Sequence, residues 1–284
     1  MFQVPGLLFV PSHIMALVTL VVNTGIVVDV GFAECSVIPV IEGVTVLHAS
    51  KFSPLGAKAV HERIQRELIE AEAEIRDKDG TRIMTQSDKL SEKVVEDIKA
   101  KTCVVPPFER GQTLSRLKAG ELRLKDVEEG LCSLNYHLDG SSILKVPGIV
   151  RELGGQVFFE MCGEESTVAT MILDTISECP IDSRRALSEN VVIIGGSSMM
   201  PGFRQRLFDE VKKCMELIPR YKSSIHIDRI KVHRIPCKPN YAAWLGGAIF
   251  GSTDAVSVRA VSRDQFNRTN GSIITHWSTW WPQK

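Results

Sequence analysis

The amino-acid sequence predicts an α/β fold, because two kinds of hydrophobic pattern alternate along the chain. Continuous runs rich in β-branched residues, at 26–30 and 190–194, are typical of buried strands. Apolar residues spaced three or four positions apart, at 57–75 and 167–179, are typical of helices with one buried face. A length of 284 residues is enough for one large domain or two modest ones.

The composition excludes several classes of function. Hydrophobic residues make up 44% of the chain and charged residues 24%, as in ordinary globular proteins. The 34 basic residues balance 34 acidic ones, which argues against a nucleic-acid partner and mildly favours a subunit of a larger assembly. The apolar run at 14–22 is too short to span a membrane. Seven cysteines without CxxC spacing indicate buried thiols in a reducing compartment.

The first 55 residues carry the clearest strand pattern. The expected elements are a strand and turn at 1–10, a helix at 13–22 capped by Ser12, and strands at 26–30, 35–41 and 44–48. The turn signal at Glu42 and Gly43 makes the last three strands an antiparallel meander. The first of these three strands ends next to Asp29, so the meander presents one acidic residue at its edge.

The rest of the chain is more helical. A charged amphipathic helix is predicted at 57–75, and the charge-rich sequence up to about residue 130 is expected to be helix-leaning and mobile. Next come a helix at 167–179 capped by Ser166, a short helix at 183–188 and a strand at 190–194. A helix with Phe203, Leu207, Val211 and Cys214 on its buried face follows, and then a half-exposed strand at 220–234. The chain continues with a small-residue helix or turn at 244–250 and an aromatic cluster of Trp277, Trp280 and Trp281.

Two glycine-containing turns could approach a phosphate ester. Asp29 and Gly31 lie where a strand turns back, so backbone N–H groups there could face a phosphate and Asp29 could hold a hydrated magnesium ion. The segment 194–198 joins a strand to a helix, and its amides suit a ribose or phosphate. Neither turn matches a P-loop or a Rossmann fingerprint, and a tight structural turn is the alternative for each.

Four ordered phrases together resemble motifs of the actin family. The family's second phosphate hairpin is similar to GIVVDVG at 25–31, which runs on to VIPVIEG at 37–43. The segment NVVIIGGSSMMPG at 190–202 is similar to the family's adenosine loop. The segment WLGG at 244–247 is similar to the family's Trp-Ile-Gly-Gly turn, and VEDIKAKTC at 95–103 is similar to its lysine-bearing helix. The resemblance implies an actin-like ATPase fold of the ribonuclease H-like type, with a nearly complete inner domain and a truncated outer domain.

The resemblance also implies a division of the chain. It assigns 1–19 to an outer-domain remnant, 20–55 and 141–240 to the inner core, 56–140 to a charged helical insertion, and 241–284 to a C-terminal outer-domain remnant. The family's first phosphate hairpin has no counterpart in the sequence, so we expect a shortened form of the fold.

The nucleotide site implied by the resemblance is degenerate. The cofactor-binding residues that it assigns are Asp29, Gly31, Lys99, Gly195, Gly196, Ser197 and Met200, the last standing where the family has an aromatic residue beside adenine. Phe32 and Ala33 replace an acid and a glycine of the hairpin, and Ser12 replaces the glutamine that positions the attacking water. Ala100 and Asn240 are further departures. We therefore expect no catalytic residues, no metal site, and ATP or ADP as a structural ligand only.

Other phrases, at 96–103, 179–185 and 243–251, are similar to the branch of the actin family at the pointed end of dynactin. That similarity implies a non-catalytic structural subunit of the cytoplasm and cytoskeleton, which caps dynactin's actin-like filament and supports dynein-driven movement on microtubules. Its partners would be other dynactin subunits, with Trp280 and Trp281 as anchors or, alternatively, as core residues. The alternatives are an active actin-like ATPase or sugar-kinase-like phosphotransferase and a nuclear subunit of a chromatin-remodelling complex.

Overall fold

The computed structural model describes residues 4–77, 82–83, 90–127, 130–138, 142–160, 166–224 and 230–270. The strands are β1 (Gly6–Leu7), β2 (Gly25–Val30), β3 (Cys35–Ile41), β4 (Val44–Thr45), β5 (Lys51–Ser53), β6 (Ile75–Asp77), β7 (Arg82–Ile83), β8 (Leu134–His137), β9 (Ser142–Val146), β10 (Val191–Ile194) and β11 (Val261–Ser262). The helices are α1 (Ser12–Val18), α2 (Ala57–Glu70), α3 (Glu92–Thr102), α4 (Phe108–Lys118), α5 (Gly148–Gln156), α6 (Val168–Glu178), α7 (Ile181–Glu189), α8 (Phe203–Leu217), α9 (Pro219–Ser224), α10 (Ala242–Gly251), α11 (Asp254–Arg259) and α12 (Arg263–Arg268).

A five-stranded sheet organises the larger part of the molecule. Its strand order is β10-β2-β3-β4, and β5 also pairs with β3. The strands β2, β3 and β4 form the predicted antiparallel meander, while β10 runs parallel to β2 and places Ile194 opposite Asp29. The third strand of the meander is shorter than predicted, because a 3-10 turn begins at Leu47.

The side chains of β2 divide the core into two layers, as the two-residue repeat of a strand requires. Ile26, Val28 and Val30 belong to the main hydrophobic cluster, which also contains much of α2, α6 and α8. Val27 belongs to a smaller cluster on the other face, together with Leu17 of α1 and other residues of β3, β10 and α10. The β-branched runs of the sequence thus form strands because both faces of the sheet are covered.

The α1 and α10 helices pack closely, which confirms the prediction of a small-residue helix at 244–250. A Cβ atom on Gly246 would overlap the carbonyl oxygen of Met15, so only glycine permits this approach of the two backbones. Gly247, in contrast, has open space around it. The described helices are all too short or too polar to cross a membrane.

A second sheet corrects the expectation for the charge-rich middle of the chain. It has the order β7-β6-β9-β8, with antiparallel neighbours throughout. The helix predicted at 57–75 ends at Glu70, since Glu72 adopts a positive φ of 46° and the chain continues into β6. The helices α3 and α4 anchor the middle of the chain through buried residues such as Ile98 and Leu114.

Further expectations at the ends of elements were wrong. Residues 219–224 form the helix α9 rather than the start of the predicted strand, and residues 225–229 of that strand lie outside the described residues. In the part of the segment that the structure describes, Val232 makes an isolated bridge with Val191. Ser12 does not cap α1, whose N-cap residue is Pro11, and α6 is capped by Thr167 instead of Ser166. The predicted aromatic cluster at 277–281 lies outside the described residues.

Candidate functional site

The turn between β2 and β3 is held by the start of α2. Within the turn, the backbone N–H of Gly31 donates to the carbonyl oxygen of Glu34 at 3.0 Å. The N–H of Ala57 donates to the carbonyl of Gly31 at 3.0 Å, and the N–H of Lys58 to the carbonyl of Phe32 at 2.9 Å. These amides are therefore already used, and the N–H of Gly31 is not available to a phosphate in this conformation.

Asp29 lies beside the turn that follows β10. Gly195 has a φ of 93°, and a Cβ atom there would overlap the carbonyl of Val30 and lie 2.8 Å from Oδ1 of Asp29. Glycine is thus required where the two strand ends meet. Burial raises the pKa of the Asp29 carboxyl, and the negative charge of Glu34 raises it further.

Some polar groups of the loop at 195–200 are hydrogen-bonded to neighbouring segments, and others have no partner in the described part of the chain. The N–H of Gly195 donates to the carbonyl of Pro239 at 3.2 Å, and Oγ of Ser197 donates to the carbonyl of Gly31 at 3.3 Å. Among the described residues, the N–H groups of Gly196, Ser197 and Ser198 find no acceptor. A Cβ atom on Gly196 would meet nothing within 4 Å, so the backbone there faces open space. Three adjacent donors, the first of them beside open space, suit an anionic or hydroxylated ligand.

Lys99 is connected to the β2–β3 turn through His61, which contacts both Lys99 and Phe32. Its Nζ lies 3.0 Å from Nε2 of His61, and the His61 ring packs edge-on against the Phe32 ring at a centroid distance of 5.8 Å. Burial lowers the pKa of the Lys99 ammonium, an effect that nearby Glu96 opposes. Lys99 is thus a partly buried cation near the predicted site.

The structure brings most of the predicted site residues together. Asp29, Gly31, Gly195 and Ser197 are joined by strand pairing, close approach or a hydrogen bond, with Gly196 at the open edge. Met200, in contrast, is buried in the main hydrophobic cluster, whereas its neighbour Met199 is partly exposed.

The positions at which the chain departs from the family pattern are exposed to solvent. Phe32 is 52% exposed at the turn, and Ser12, Ala100 and Asn240 are also exposed. Sequence reasoning missed His61, although its place beside Val60 at the edge of the apolar face of α2 was a usable signal.

Comparison with known proteins decides the family. The sequence model of the actin family, described as Actin, matches residues 1–277. The chain belongs to the actin family. Its predicted fold class, an actin-like α/β fold, is therefore confirmed.

Several actin-related proteins are similar to this actin-family chain. Actin-related protein 3 of Drosophila melanogaster is 29% identical over 97% of the chain and 66% of its own length. Actin-related protein 10 of Dictyostelium discoideum is 26% identical over 88% of the chain and 57% of its own length. Actin-related protein 3 of Caenorhabditis elegans is 30% identical over 89% of the chain and 60% of its own length. The chain thus spans less than two thirds of the length of these relatives.

Proposed function

We propose that this actin-family chain is a non-catalytic structural subunit of dynactin. In this role it caps the pointed end of the actin-like filament, contacts other dynactin subunits in the cytoplasm, and supports dynein-driven movement on microtubules. The phrases at 96–103, 179–185 and 243–251 support the dynactin branch. A relative named actin-related protein 10 is consistent with it, whereas the relatives named actin-related protein 3 support only the broader family.

The observation that carries the proposal is the environment of Phe32. Transfer of a phosphoryl group relies almost entirely on positioning and on electrostatic stabilisation of the phosphates. At the hairpin turn, an exposed aromatic ring stands where the family has an acid, and the N–H of Gly31 is held by Glu34. Asp29 remains as a half-buried carboxyl with a raised pKa. This arrangement offers little to stabilise the transition state of ATP hydrolysis.

The same region retains features that suit a bound but unhydrolysed nucleotide. The free N–H groups of Gly196, Ser197 and Ser198 would donate to a ribose or phosphate, and Lys99, a partly buried cation, would lie near the nucleotide. ATP or ADP in this position would connect the β2–β3 turn with the loop after β10 and stabilise the fold by binding to it.

Exposed apolar side chains on three consecutive helices support a role in assembly. Trp244 and Ile249 of α10, Val258 of α11 and Phe266 of α12 are each more than two fifths exposed, and Trp244 reaches 72%. Large exposed aromatic and aliphatic groups of this kind are typical of protein interfaces. We infer that this surface contacts a neighbouring subunit.

Binding and turnover of ATP test the non-catalytic part of the proposal. Equilibrium dialysis of the purified chain with ATP is expected to detect binding, and a phosphate-release assay is expected to stay at the buffer background. Gly196→Val should weaken binding because the side chain enters the open space, while Gly247→Val on α10, also in open space, should not. Phosphate release above background that is lost in the Gly196→Val protein would favour the alternative of an active ATPase.

A further inference from the structure

The β8 strand lies at one edge of the second sheet. In the order β7-β6-β9-β8 its one described neighbour is β9, which pairs with it in antiparallel orientation. The side chains of Leu134, Asn135 and His137 are exposed, and Tyr136 is half-buried. This edge of the sheet is therefore accessible to solvent and to another chain.

The hydrogen bonds to β9 show which backbone groups of β8 face outward. The N–H of Leu138 donates to the carbonyl of Ser142 at 3.0 Å, so these two residues form a hydrogen-bonded pair of the ladder. Hydrogen-bonded and non-hydrogen-bonded pairs alternate along an antiparallel ladder. Tyr136 therefore bonds to β9, whereas the N–H and C=O groups of Asn135 and His137 point away from it.

The other side of β9 agrees with this assignment. Asn135 lies opposite Lys145, whose N–H donates to the carbonyl of Glu74 at 3.0 Å on the β6 side. The backbone N–H of Lys145 is thus not directed at Asn135. In the part of the chain that the structure describes, the outward N–H and C=O groups of Asn135 and His137 have no hydrogen-bond partner. Unpaired groups at an exposed edge are a template for a further strand.

The β8 strand lacks the features that usually keep an open edge from pairing. Natural edge strands carry charged side chains, a proline or a bulge, each of which hinders the addition of another strand. The segment 131–138 contains no Lys, Arg, Asp, Glu or Pro. Its register with β9 is continuous from Leu134 to His137, without a bulge. An edge of this kind favours β-strand addition.

The side chains of β8 suit a second copy of the same strand in antiparallel orientation. The segment that pairs with β9 extends to Leu138 and is centred on Tyr136. A two-fold axis at Tyr136 places Asn135 opposite His137 of the second copy, a polar pair on the exposed face. The same axis places Leu134 opposite Leu138 of the second copy, an apolar pair on the other face. The two strands thus match each other in register and in polarity.

We propose that two copies of the chain associate through their β8 strands and join their second sheets into one continuous sheet. The outward N–H and C=O groups of Asn135 exchange hydrogen bonds with those of His137 of the second copy, and the two-fold axis repeats this pair. The inference goes beyond the proposed function and does not rest on it. Because the paired segment is short, we expect a weak dimer with a dissociation constant of roughly 10–100 µM.

Two double substitutions at exposed positions test the pairing and its register. Asn135→Lys with His137→Lys places lysine opposite lysine across the dimer, whereas Asn135→Glu with His137→Lys places glutamate opposite lysine. Sedimentation velocity of the purified chain at about 5–200 µM covers the expected dissociation constant. The dimer of the first variant should be at least about fivefold weaker than that of the second, because each cross-strand pair occurs twice. Circular dichroism checks that both variants keep the fold of the wild type.

A third variant and a second readout separate this edge from the exposed helices. Trp244→Glu removes the exposed tryptophan of α10 and should leave the dimer unchanged. Amide hydrogen exchange at Asn135 and His137 should slow as the chain concentration rises, while exchange at Tyr136, which bonds to β9, should not change. A wild-type chain that stays monomeric throughout, or a dimer of equal strength in both double variants, would overturn the proposal. So would a dimer that is lost in Trp244→Glu.

Discussion

The central sheet and the α10–α12 region differ in the burial of their apolar residues. The sheet and the helices around it bury residues such as Ile26, Phe203 and Val191 completely. The α10 helix is apolar on all sides, yet among its residues only Ala242 and Gly246 are buried, while Trp244 is 72% exposed. The first region is stabilised by its own contacts, and the second leaves large apolar side chains exposed.

This difference separates the parts of the chain that maintain the fold from those that we propose contact partners. The candidate nucleotide site lies at the edge of the first region, where the ends of β2 and β10 meet. The α10–α12 region is joined to the sheet through the close α1–α10 contact. A substitution should therefore affect stability strongly in the sheet region and assembly strongly in the helical region.

The largest expected effect on stability comes from truncating a core aromatic residue. Phe203 is fully buried and packs edge-on against Phe158 at 5.3 Å. Phe203→Ala should lower the free energy of unfolding by about 3–5 kcal/mol, because it removes apolar contacts and leaves a cavity. Trp244→Ala removes a larger side chain from an exposed site and should cost no more than about 0.5 kcal/mol. Urea unfolding followed by circular dichroism measures both, and similar losses would contradict the comparison.

A smaller effect is expected inside the α10 helix. Gly246→Ala places a methyl group on the carbonyl oxygen of Met15 and should cost about 1–3 kcal/mol through forced separation of α1 and α10. Gly247→Ala enters open space and should be neutral or stabilising by up to about 1 kcal/mol, because alanine favours the helix. The same unfolding measurement compares the adjacent positions. If both substitutions are neutral, the helices do not pack as closely as described.

The parts of the fold that could be predicted are those whose sequence pattern matches their burial. The strand β3 has the predicted bounds, and α6 and α8 follow from apolar residues on one face. The second sheet could not be predicted in this way. Its strands are short, and Ile75 pairs with Leu144, nearly seventy positions away, so no local pattern marks the pairing.

The contacts of the candidate site could also be predicted only in part from the sequence. The proximity of Asp29 and Gly195 could be expected once both were assigned to the ends of neighbouring strands in the family fold. The contact of Lys99 with His61 could not, because it depends on how α2 and α3 pack against each other. Local sequence predicted the glycine turns, and only tertiary packing revealed what Lys99 contacts.

Native purification of the tagged chain tests the central claim most directly. Proteins that remain bound through a sizing column would be identified by mass spectrometry for the wild type, Trp244→Glu and Leu217→Glu. Leu217, at the end of α8, is 72% exposed like Trp244 and serves as the matched control. We predict co-elution of the wild type and Leu217→Glu with dynactin subunits at very high mass, and loss of these subunits from Trp244→Glu. Recovery with chromatin-remodelling subunits, or elution of the wild-type chain alone, would contradict the account.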